Sequence, residues 1–424
     1  MKIEKVRGTR DFYPEEKRIQ NFIFGVWKEV AERYGYEEVD GPLIEPIELW
    51  QEKSGEEIGR QMYTLTDQSE RKLAVRPEMT PTVARMVSQK QKELPKPIKW
   101  YSIQRFWRYE KPQSGRLREF WQINLDVLGT EEISADSEVA ATAVEIMLKF
   151  GLSEKDFYVR INNRKLMKSL LSSIGIPDEK IKMLCRLIDK RDKMPEKEFS
   201  AMLSESGLST KQLSLLMKIL DSPDYFEKID EKSLDSEGKQ GMSELKQMLS
   251  YLSAFGFLKY CRVDLSLMRG LDYYTANVFE VFDCEKEFRA IAGGGRYDNL
   301  VSLFGGEKCP GVGYAMGDVV LGLFLEKKNM IPKLSKNLDF FVASTSESLN
   351  PKAVEIAQIL RKKYSCETDL MGRNFSKQMK YADSIGAKNL IVIGEDEIKS
   401  GKLRIKNMET GKETAVSISE IGKI

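Results

Sequence analysis

Residues 104–126 read QRFWRYEKPQSGRLREFWQINLD, and this stretch decides the fold predicted for the chain around it. Residues 104–110 and 118–126 are rich in aromatic side chains, which are typical of strands. Residues 111–117 contain proline, serine and glycine, which favour a turn. The stretch therefore predicts two β-strands joined by a turn.

The predicted strands carry an unusual set of side chains on one face. Because side chains alternate along a strand, this face collects Phe106, Arg108 and Glu110 from the first strand. The second strand adds Phe120, Gln122, Asn124 and Asp126. Residues 105–118 also carry five basic side chains against one acidic side chain. The pattern predicts the floor of a polar, anion-binding pocket rather than an apolar core.

The composition excludes several classes of protein. At 424 residues the chain is too long for one hydrophobic core, so two or three domains are expected. Its 67 basic and 65 acidic residues nearly balance, so any nucleic-acid binding must rely on local patches. The first residues lack the apolar core of a signal peptide, and no apolar run approaches the ~20 residues of a membrane span. We therefore expect a soluble, cytoplasmic protein that does not bind a membrane.

Cysteine and histidine content limits the possible chemistry. The five cysteines are scattered without a CxxC pair, so we expect no structural metal and no disulfide framework, and we assign no metal ligand. The absence of histidine excludes an imidazole base, a catalytic triad of that type and imidazole metal ligands. Carboxylates, Arg, Lys, Tyr and bound ions remain, which favours catalysis by positioning and electrostatics.

The amino-acid pattern changes along the chain and divides it into segments. Apolar spacing predicts a helix over residues 15–33, and residues 165–260 repeat apolar side chains at helical intervals with few strand formers. Near the C-terminus strand and helix patterns alternate, which predicts a compact α/β domain. The predicted segments are a first core segment at 1–164, a helical insertion at 165–260, a second core segment at 261–328, a linker at 329–336 and a C-terminal domain at 337–424.

Four polar clusters must converge if the protein is an enzyme. They are the hairpin and residues 76–80, 269–275 and 293–298. Several arginines with few proton-shuttling groups suit a polyphosphate substrate, because they neutralise its charge as that charge shifts toward the leaving group. The sequence has neither a GxxxxGK[ST] loop nor a GxGxxG motif after a strand, so P-loop and Rossmann folds lack their required motifs.

The order of these motifs resembles that of one enzyme family. Residues 106–110 and 120–122 are similar to motif 2 of class II aminoacyl-tRNA synthetases, and residues 34–42 (YGYEEVDGP) resemble motif 1, their dimer-interface strand. RGLDYYT at 269–275 resembles a signature of the histidyl-tRNA synthetase family, and RGTRDFYP, RPEMTP and GGGRYDNL agree with it. Residues 369–383 are similar to the anticodon-binding domain of that family, so the resemblance covers nearly the whole chain.

The resemblance implies an α/β multidomain architecture and a two-step reaction. An antiparallel-sheet class II catalytic core with helices would carry an inserted helical domain and a C-terminal α/β anticodon-binding domain. Histidine and ATP, with Mg²⁺, would form histidyl-adenylate and pyrophosphate. Histidine would then pass to the 3′ end of tRNA(His). Motif 1 further implies a homodimer.

Four side chains of the hairpin acquire an ATP-binding role from the resemblance. Arg108 would hold the α-phosphate, Glu110 the adenine amino group, and Phe120 the adenine face. Arg116 would bind the β- and γ-phosphates. A planar guanidinium suits bidentate phosphate binding, and an aromatic ring suits stacking on a base. The catalytic residues that the resemblance implies are Arg108, Arg269 and Gln122.

The resemblance also implies a site for the backbone groups of histidine. Glu78, Thr80 and Gln122 would hold the α-ammonium group. Arg269 would contact the carboxylate and the α-phosphate, where negative charge accumulates during attack.

A further implication concerns the imidazole ring of the substrate. Its two nitrogens are distinct, so a selective pocket needs a partner for each. Asp126 and Tyr274 would be those partners, and Tyr273 and Tyr297 would form the walls. Other amino acids would leave these partners unpaired, and this penalty would reject them.

Structural alternatives fit the same patterns. Residues 76–78 are compatible with a solvated turn, residues 273–274 with a core strand pair, and residues 293–295 with a flexible turn. Their flanking motifs favour a functional site instead. Residues 361–380 carry six basic against two acidic side chains, which a solvated helix face explains about as well as RNA binding does.

One position departs from the family pattern. Class II motif 3 ends in an arginine that contacts the γ-phosphate, whereas residues 311–320 (GVGYAMGDVV) place Val320 there. Either other groups hold the triphosphate, or the chain is a non-catalytic synthetase-like regulatory subunit of ATP phosphoribosyltransferase. Such paralogues lack the anticodon-binding domain and lose active-site residues. This sequence keeps both, which favours the enzyme and predicts a larger γ-phosphate role for Arg116.

Overall fold

The computed structural model describes residues 3–51, 59–191, 194–222, 224–269, 273–334, 336 and 338–423. The chain divides into two compact units, Met1–Pro332 and Lys333–Ile424. Within the described ranges, each unit contains its own sheets and helices.

Two sheets occur in the described part of the first unit. The strands are β1 (Glu37–Glu38), β2 (Ile44–Pro46), β3 (Tyr63–Thr66), β4 (Lys72–Val75), β5 (Ile98–Trp107), β6 (Glu119–Leu128), β7 (Phe157–Asn163), β8 (Cys261–Val263), β9 (Asn277–Asp283), β10 (Ala292–Tyr297) and β11 (Gly311–Gly317). Eight of these described strands form one sheet in the order β1-β5-β6-β11-β10-β9-β7-β8. Its interior pairs are antiparallel, and the end pairs β1/β5 and β7/β8 are parallel. Strands β2, β4 and β3 form a small antiparallel sheet.

The α-helices of this unit pack against the large sheet and against one another. Those with both ends described are α1 (Pro14–Arg33), α2 (Glu48–Gln51), α3 (Thr80–Lys90), α4 (Ile133–Lys149), α5 (Arg164–Ser173), α6 (Asp178–Ile188), α7 (Glu196–Glu205), α8 (Thr210–Asp221), α9 (Ser236–Ala254) and α10 (Asp318–Lys327). Helices α1 and α4 contribute to one continuous apolar core with the sheet. The antiparallel sheet with helices predicted for the catalytic core is confirmed.

Helix α1 shows how apolar spacing places side chains in the core. Proline is tolerated in the first turn, and Pro14 begins the helix. Ile23, Trp27 and Val30 recur at intervals of three or four residues, so they lie on one face, and all three are buried. Gly35 adopts a φ of +76° just beyond the helix, a conformation that glycine tolerates best. The helix predicted over residues 15–33 is confirmed.

The hairpin forms with a shorter first strand than the sequence predicts. Strands β5 and β6 pair antiparallel, with Phe106 opposite Phe120. Strand β5 ends at Trp107. Beyond it, the N–H of Arg108 donates to the backbone oxygen of Arg118 at 2.9 Å, and the N–H of Tyr109 donates to that of Gln61 at 2.6 Å. Side chains 108 and 110 therefore lie on the connection between the strands rather than on the strand itself.

The glycine-rich residues 293–295 form a central strand, so the alternative of a flexible turn is wrong. They belong to β10, which is buried along its length between β9 and β11. A Cβ atom on Gly294 would overlap the backbone oxygen of Gly313, and one on Gly295 would lie 2.7 Å from the oxygen of Asn277. Glycine is required here because the neighbouring strands approach too closely for any side chain.

Helices α5 to α9 confirm the helical character predicted between residues 165 and 260. In the described part of this segment no residue belongs to a strand until Cys261. Its apolar stripes are buried, as at Leu184, Leu216 and Leu245. The Asn163 side chain caps α5 and also donates to Glu244 of α9 at 2.9 Å, which attaches the helices to the end of β7.

The second unit is an α/β domain, as the sequence predicts. Its elements are β12 (Leu338–Ser344), α11 (Asn350–Leu360), β13 (Cys366–Thr368), α12 (Phe375–Ser384), β14 (Ala387–Ile393), α13 (Glu395–Ser400), β15 (Lys402–Asn407) and β16 (Glu413–Ser417). The sheet order is β13-β12-β14-β15-β16, parallel across the first three strands and antiparallel thereafter. Among the described residues of the whole chain, no helix has the length and apolar character needed to cross a bilayer.

Candidate active site

A cavity of about 820 Å³ brings the four polar clusters of the first unit together. Strands β6, β9, β10 and β11 contribute to its wall, together with the hairpin turn and the start of helix α3. The predicted site residues in this wall are Glu78, Thr80, Arg108, Glu110, Arg116, Phe120, Gln122, Arg269, Tyr273, Tyr274 and Tyr297. Asp126 lies behind the wall and contacts it through Tyr297. Residues 270–272 of the RGLDYYT segment lie outside the described residues.

Arg108 is held at the edge of the cavity by two contacts. Its Nε donates to the backbone oxygen of Pro77 at 3.0 Å. Its guanidinium carbon lies 5.3 Å from the centroid of the Phe120 ring. A guanidinium at this edge of the cavity suits an anion that lies over the same aromatic ring.

Arg116, at the hairpin turn, forms an ion pair with Glu110. Glu110 is 7% exposed, and the turn closes through a backbone bridge between Gln113 and Arg116. Gly115 has a φ of +73°, which allows the chain to reverse at this point. The two residues assigned to opposite ends of ATP therefore contact each other directly.

Arg269 occupies a strained and closely packed position. It has a φ of +50°, uncommon for a residue other than glycine, and its Nη1 donates to Glu280 Oε1 at 2.9 Å. A Cβ atom on Gly293 would overlap this guanidinium, so a glycine is needed on the neighbouring strand. Burial alone would lower the pKa of Arg269, but negative potential from Tyr274, Glu280, Tyr273 and Asp189 raises it overall. The guanidinium therefore stays charged in a buried position.

A set of buried and partly buried aromatic residues borders Glu78. Tyr273 Oη donates to Glu78 Oε2 at 3.1 Å. The Tyr273 ring lies 4.9 Å from that of Tyr274 and 5.9 Å from that of Tyr297, measured between centroids. Glu78 and Thr80 are 5% and 8% exposed, which contradicts a solvated turn at residues 76–78. The result is a pocket bordered by one carboxylate and several hydroxyl groups.

Asp126 is a buried carboxylate behind the wall of this pocket. It accepts a short hydrogen bond from Tyr297 Oη and is 3% exposed. Burial raises the pKa of Asp126 to about 7, despite the opposing effect of the hydrogen bond from Tyr297. A Cβ atom on Gly313 would overlap Asp126, so a glycine in β11 makes room for the carboxylate.

Two arginines in the polar clusters hold the structure together and lie outside the cavity wall. Arg76 is 4% exposed and donates to the oxygens of Arg105 and Gly41 and to Gln104 Oε1. Arg296 forms a buried ion pair with Asp136 and donates to the oxygens of residues 130 and 132. Sequence reasoning placed both in functional clusters, and the contacts show that they fix the loops and strands around the site.

The cavity wall also contains charged residues that sequence reasoning missed. They are Arg60, Arg186, Asp189, Lys190 and Glu280. Glu280 interrupts an otherwise apolar face of β9, a signal that the sequence offered. Arg186, Asp189 and Lys190 come from the end of α6, where charged side chains in a helical segment look like an ordinary solvated face.

Val320 lies in the cavity wall beside the hairpin turn. One of its methyl carbons is 3.4 Å from the position that a Cβ atom on Gly115 would take. Helix α10, which carries Val320, is fixed by Asp318, whose carboxylate accepts from the N–H of Trp121 at 2.9 Å and from Arg10 Nη2 at 2.6 Å. An apolar side chain therefore borders the cavity beside the hairpin turn.

Family models match both units of the chain. A family model described as histidyl-tRNA synthetase matches residues 8–318, and one described as an anticodon binding domain matches residues 339–424. The chain belongs to the histidyl-tRNA synthetase family. A histidine–tRNA ligase of Leptospira biflexa is 37% identical over 421 residues, covering 98% of this chain and 96% of the relative. One of Pyrococcus horikoshii is 38% identical over 425 residues, covering 99% of this chain and 97% of the relative.

Solved structures of histidyl-tRNA synthetases share the fold. The enzyme of Nostoc sp. PCC 7120 has a TM-score of 0.83 at 26% identity, covering 100% of this chain and 99% of that chain. The apo enzyme of S. aureus has a TM-score of 0.73 at 26% identity, with the same coverage. A Bacillus halodurans structure, described as an ATP phosphoribosyltransferase regulatory subunit/histidyl-tRNA synthetase, has a TM-score of 0.76 at 24% identity, covering 92% of this chain and 98% of that chain. At that identity the likeness establishes the fold alone.

Proposed function

We propose that the protein activates histidine with ATP and attaches it to the 3′ end of tRNA(His). In the first step the histidine carboxylate attacks the α-phosphorus, and pyrophosphate leaves with the bond electrons. In the second step a hydroxyl of the terminal ribose attacks the carbonyl carbon of histidyl-adenylate, and AMP leaves. The observation that carries the proposal is a single cavity containing Arg108, Arg269 and Glu78, with Asp126 behind its wall.

ATP is proposed to bind along the hairpin. Phe120 stacks on adenine, Glu110 accepts from its amino group, and Arg108 binds the α-phosphate. Arg116 binds the β- and γ-phosphates after exchanging Glu110 for the phosphate oxygens. This exchange couples recognition of the two ends of ATP, because Glu110 becomes available to adenine as Arg116 turns toward the triphosphate.

Histidine is proposed to bind deeper, among the tyrosines. Glu78, Thr80 and Gln122 hold its α-ammonium group, and Tyr273 orients Glu78 through their hydrogen bond. Arg269 contacts the substrate carboxylate. Glu280 fixes the guanidinium through a hydrogen bond, and Gly293 leaves room for it. Little reorganisation of Arg269 is therefore needed as charge develops on the substrate.

Selectivity for histidine is proposed to come from Asp126 and Tyr274, each pairing with one imidazole nitrogen. Tyr273 and Tyr297 form the aromatic walls of the ring pocket. Asp126 is buried and carries one hydrogen bond from Tyr297, which leaves acceptor capacity for an N–H group. A substrate side chain without that N–H would leave the carboxylate poorly satisfied, a penalty of about 1–3 kcal/mol.

The catalytic residues in this scheme are Arg108, Arg269 and Gln122. Two guanidinium groups neutralise the charge that accumulates at the α-phosphate during attack, and Gln122 positions the amino acid. No side chain is required to transfer a proton in the first step, which is consistent with a chain that lacks histidine.

Mg²⁺ is proposed to arrive with ATP. It would neutralise phosphate charge and favour departure of pyrophosphate. The cavity carboxylates Glu110 and Glu280 have the oxygen chemistry that Mg²⁺ prefers, but each is paired with an arginine. No group of three or more metal-ligating side chains occurs among the described residues. We therefore assign the ion chiefly to triphosphate oxygens.

The C-terminal segment at 337–424 is proposed to bind the anticodon of tRNA(His). Leu370 and Met371 are 90% and 73% exposed, on a loop that Asp369 fixes by accepting from the N–H and the guanidinium of Arg373, both at 2.7 Å. Apolar side chains on a fixed loop suit contact with unstacked bases, and the nearby exposed Lys377 suits the phosphates.

The remaining organisation is proposed from the family resemblance. Residues 1–164 and 261–328 form the catalytic core, 165–260 the insertion and 329–336 the linker. A homodimer is proposed because residues 34–42 resemble the motif 1 interface strand. The protein is proposed to act in the cytoplasm.

Charging of a tRNA(His) transcript tests the proposed function. With ATP, Mg²⁺ and labelled histidine, the full chain should form histidyl-tRNA, and a tRNA for another amino acid serves as control. Failure to charge folded protein, together with stimulation of an ATP phosphoribosyltransferase, would establish the regulatory alternative instead. The comparisons do not favour that alternative, because both sequence relatives reported above are named as histidine–tRNA ligases.

A further inference from the structure

The end of helix α6 supplies charged side chains to the catalytic cavity. Arg186, Asp189 and Lys190 line the same wall as Arg269, although they belong to the helical segment rather than to the sheet. The sequence resemblance assigns them no role.

The position of these side chains is fixed by the opposite face of the helix. Ile181, Leu184 and Ile188 are buried in the core that the helical segment shares with the sheet. The N–H of Asp189 donates to the backbone oxygen of Cys185 at 3.0 Å, which closes the helix at its C-terminus. The charged end of α6 is therefore held at the cavity.

Asp189 lies close enough to Arg269 to affect it electrostatically. Burial would lower the pKa of Arg269, and the charge of Asp189 is among the effects that raise it. Because such effects weaken with distance, the end of α6 and the catalytic arginine share one local environment.

The charge balance of the cavity shows why these residues matter. The cations in its described wall are Arg60, Arg108, Arg116, Arg186, Lys190 and Arg269. The acids are Glu78, Glu110, Asp189 and Glu280. The triphosphate of ATP carries about four negative charges at pH 7. Without Arg186 and Lys190, the four remaining cations would face four acids, with Val320 in place of a further cation.

We propose that Arg186 and Lys190 bind the β- and γ-phosphates of ATP, so that the helical segment takes part in adenylate formation. The proposal rests on the proposed function. If Arg108 and Arg269 hold the α-phosphate, the other two phosphates must extend within the same cavity. Both cations line this cavity, which favours a triphosphate as the ligand over an RNA backbone on an open surface.

Histidine-dependent exchange of pyrophosphate into ATP, measured without tRNA, tests the proposal. Arg186→Gln and Lys190→Gln should each raise the KM for ATP about fivefold, and together by more, with the KM for histidine unchanged. Arg186→Lys should keep most of the wild-type affinity because it keeps the charge. Lys182→Gln, one turn earlier on the same helix and outside the cavity wall, should behave as wild type.

Two results would overturn the proposal. One is an unchanged KM for ATP combined with a raised KM for tRNA(His), which would place RNA at these residues. The other is wild-type behaviour in both half-reactions, which would make the side chains part of a solvated face. If the wild-type chain shows no exchange, equilibrium binding of ATP with Mg²⁺ tests the phosphate site separately from the proposed function. Tighter binding by wild type than by the double variant would support the phosphate site, and equal binding would refute it.

Discussion

Replacing Asp126 by asparagine should stabilise the fold at alkaline pH while removing selectivity for histidine. Burial raises the pKa of this carboxyl from 3.8 to about 7, so the folded protein has to hold a charge away from water above that pH. Asparagine keeps an oxygen that can accept from Tyr297 and carries no charge.

The sign of the effect follows from the two pKa values. The unfolded chain releases the proton near pH 4, and the folded chain holds it until about pH 7. The stability contribution of Asp126 is therefore fully present below pH 4 and is lost as pH rises through 7. Three pKa units correspond to at most about 4 kcal/mol, of which about 2 kcal/mol is lost between pH 5.5 and 8.5.

Thermal unfolding of wild type and Asp126→Asn at these two pH values measures the effect. For a unit of roughly 330 residues, about 2 kcal/mol corresponds to about 3 °C in Tm. The Tm of the asparagine variant, relative to that of wild type, should rise by that amount from pH 5.5 to pH 8.5. The kcat/KM for histidine should fall by about 10²-fold or more, because the imidazole loses its charged partner.

Two outcomes would refute this reasoning. An equal Tm difference at both pH values would mean that Asp126 does not titrate in the folded protein across that range. An unchanged kcat/KM for histidine would mean that the carboxylate is not the imidazole partner, whatever its effect on stability.

Three further variants test other parts of the account. Arg116→Ala should raise the KM for ATP about tenfold and leave the KM for histidine near wild type, whereas equal effects on both would contradict its γ-phosphate role. Gly293→Ala should lower kcat by about 10²-fold, because the added methyl group displaces the Arg269 guanidinium, and a wild-type kcat would show that its placement is not critical. Leu370→Ser should raise the KM for tRNA(His) severalfold without affecting pyrophosphate exchange. Val354→Ser, at a 48% exposed position of the same unit, is its control, and equal effects of the two would argue against a specific base contact.

The hairpin could be predicted because its signal is local. Alternation of side chains determines which residues share a face, and Phe120, Gln122 and Asn124 do line one cavity. The early end of strand β5 could not be predicted, because the aromatic pattern continues to Tyr109, whose N–H bonds to Gln61, a residue distant in sequence.

The local structure at glycine residues was harder to predict from the sequence than that of the residues around them. A run of three glycines is typical of a turn, yet residues 293–295 form a central strand because the adjoining backbones leave no room for side chains. Such close approach is a tertiary property. The same is true of Arg186 and Lys190, whose helical context indicates a solvated face until the fold places them beside Arg269.

Asp126 is a residue whose role the sequence predicts but whose contacts it does not. Its resemblance to a family position predicts an imidazole partner, and Tyr297 was expected only as a wall of the pocket. The structure adds the hydrogen bond between them and the glycine opposite that makes room for the carboxylate. These features arise from packing between three strands, which no local pattern encodes.

Exchange of labelled pyrophosphate into ATP, tested with each of the twenty amino acids, addresses the central claim most directly. The account predicts exchange with histidine, dependent on Mg²⁺, and background levels with the others. Absence of exchange with histidine in folded protein, or comparable exchange with another amino acid, would contradict the histidine-activating site.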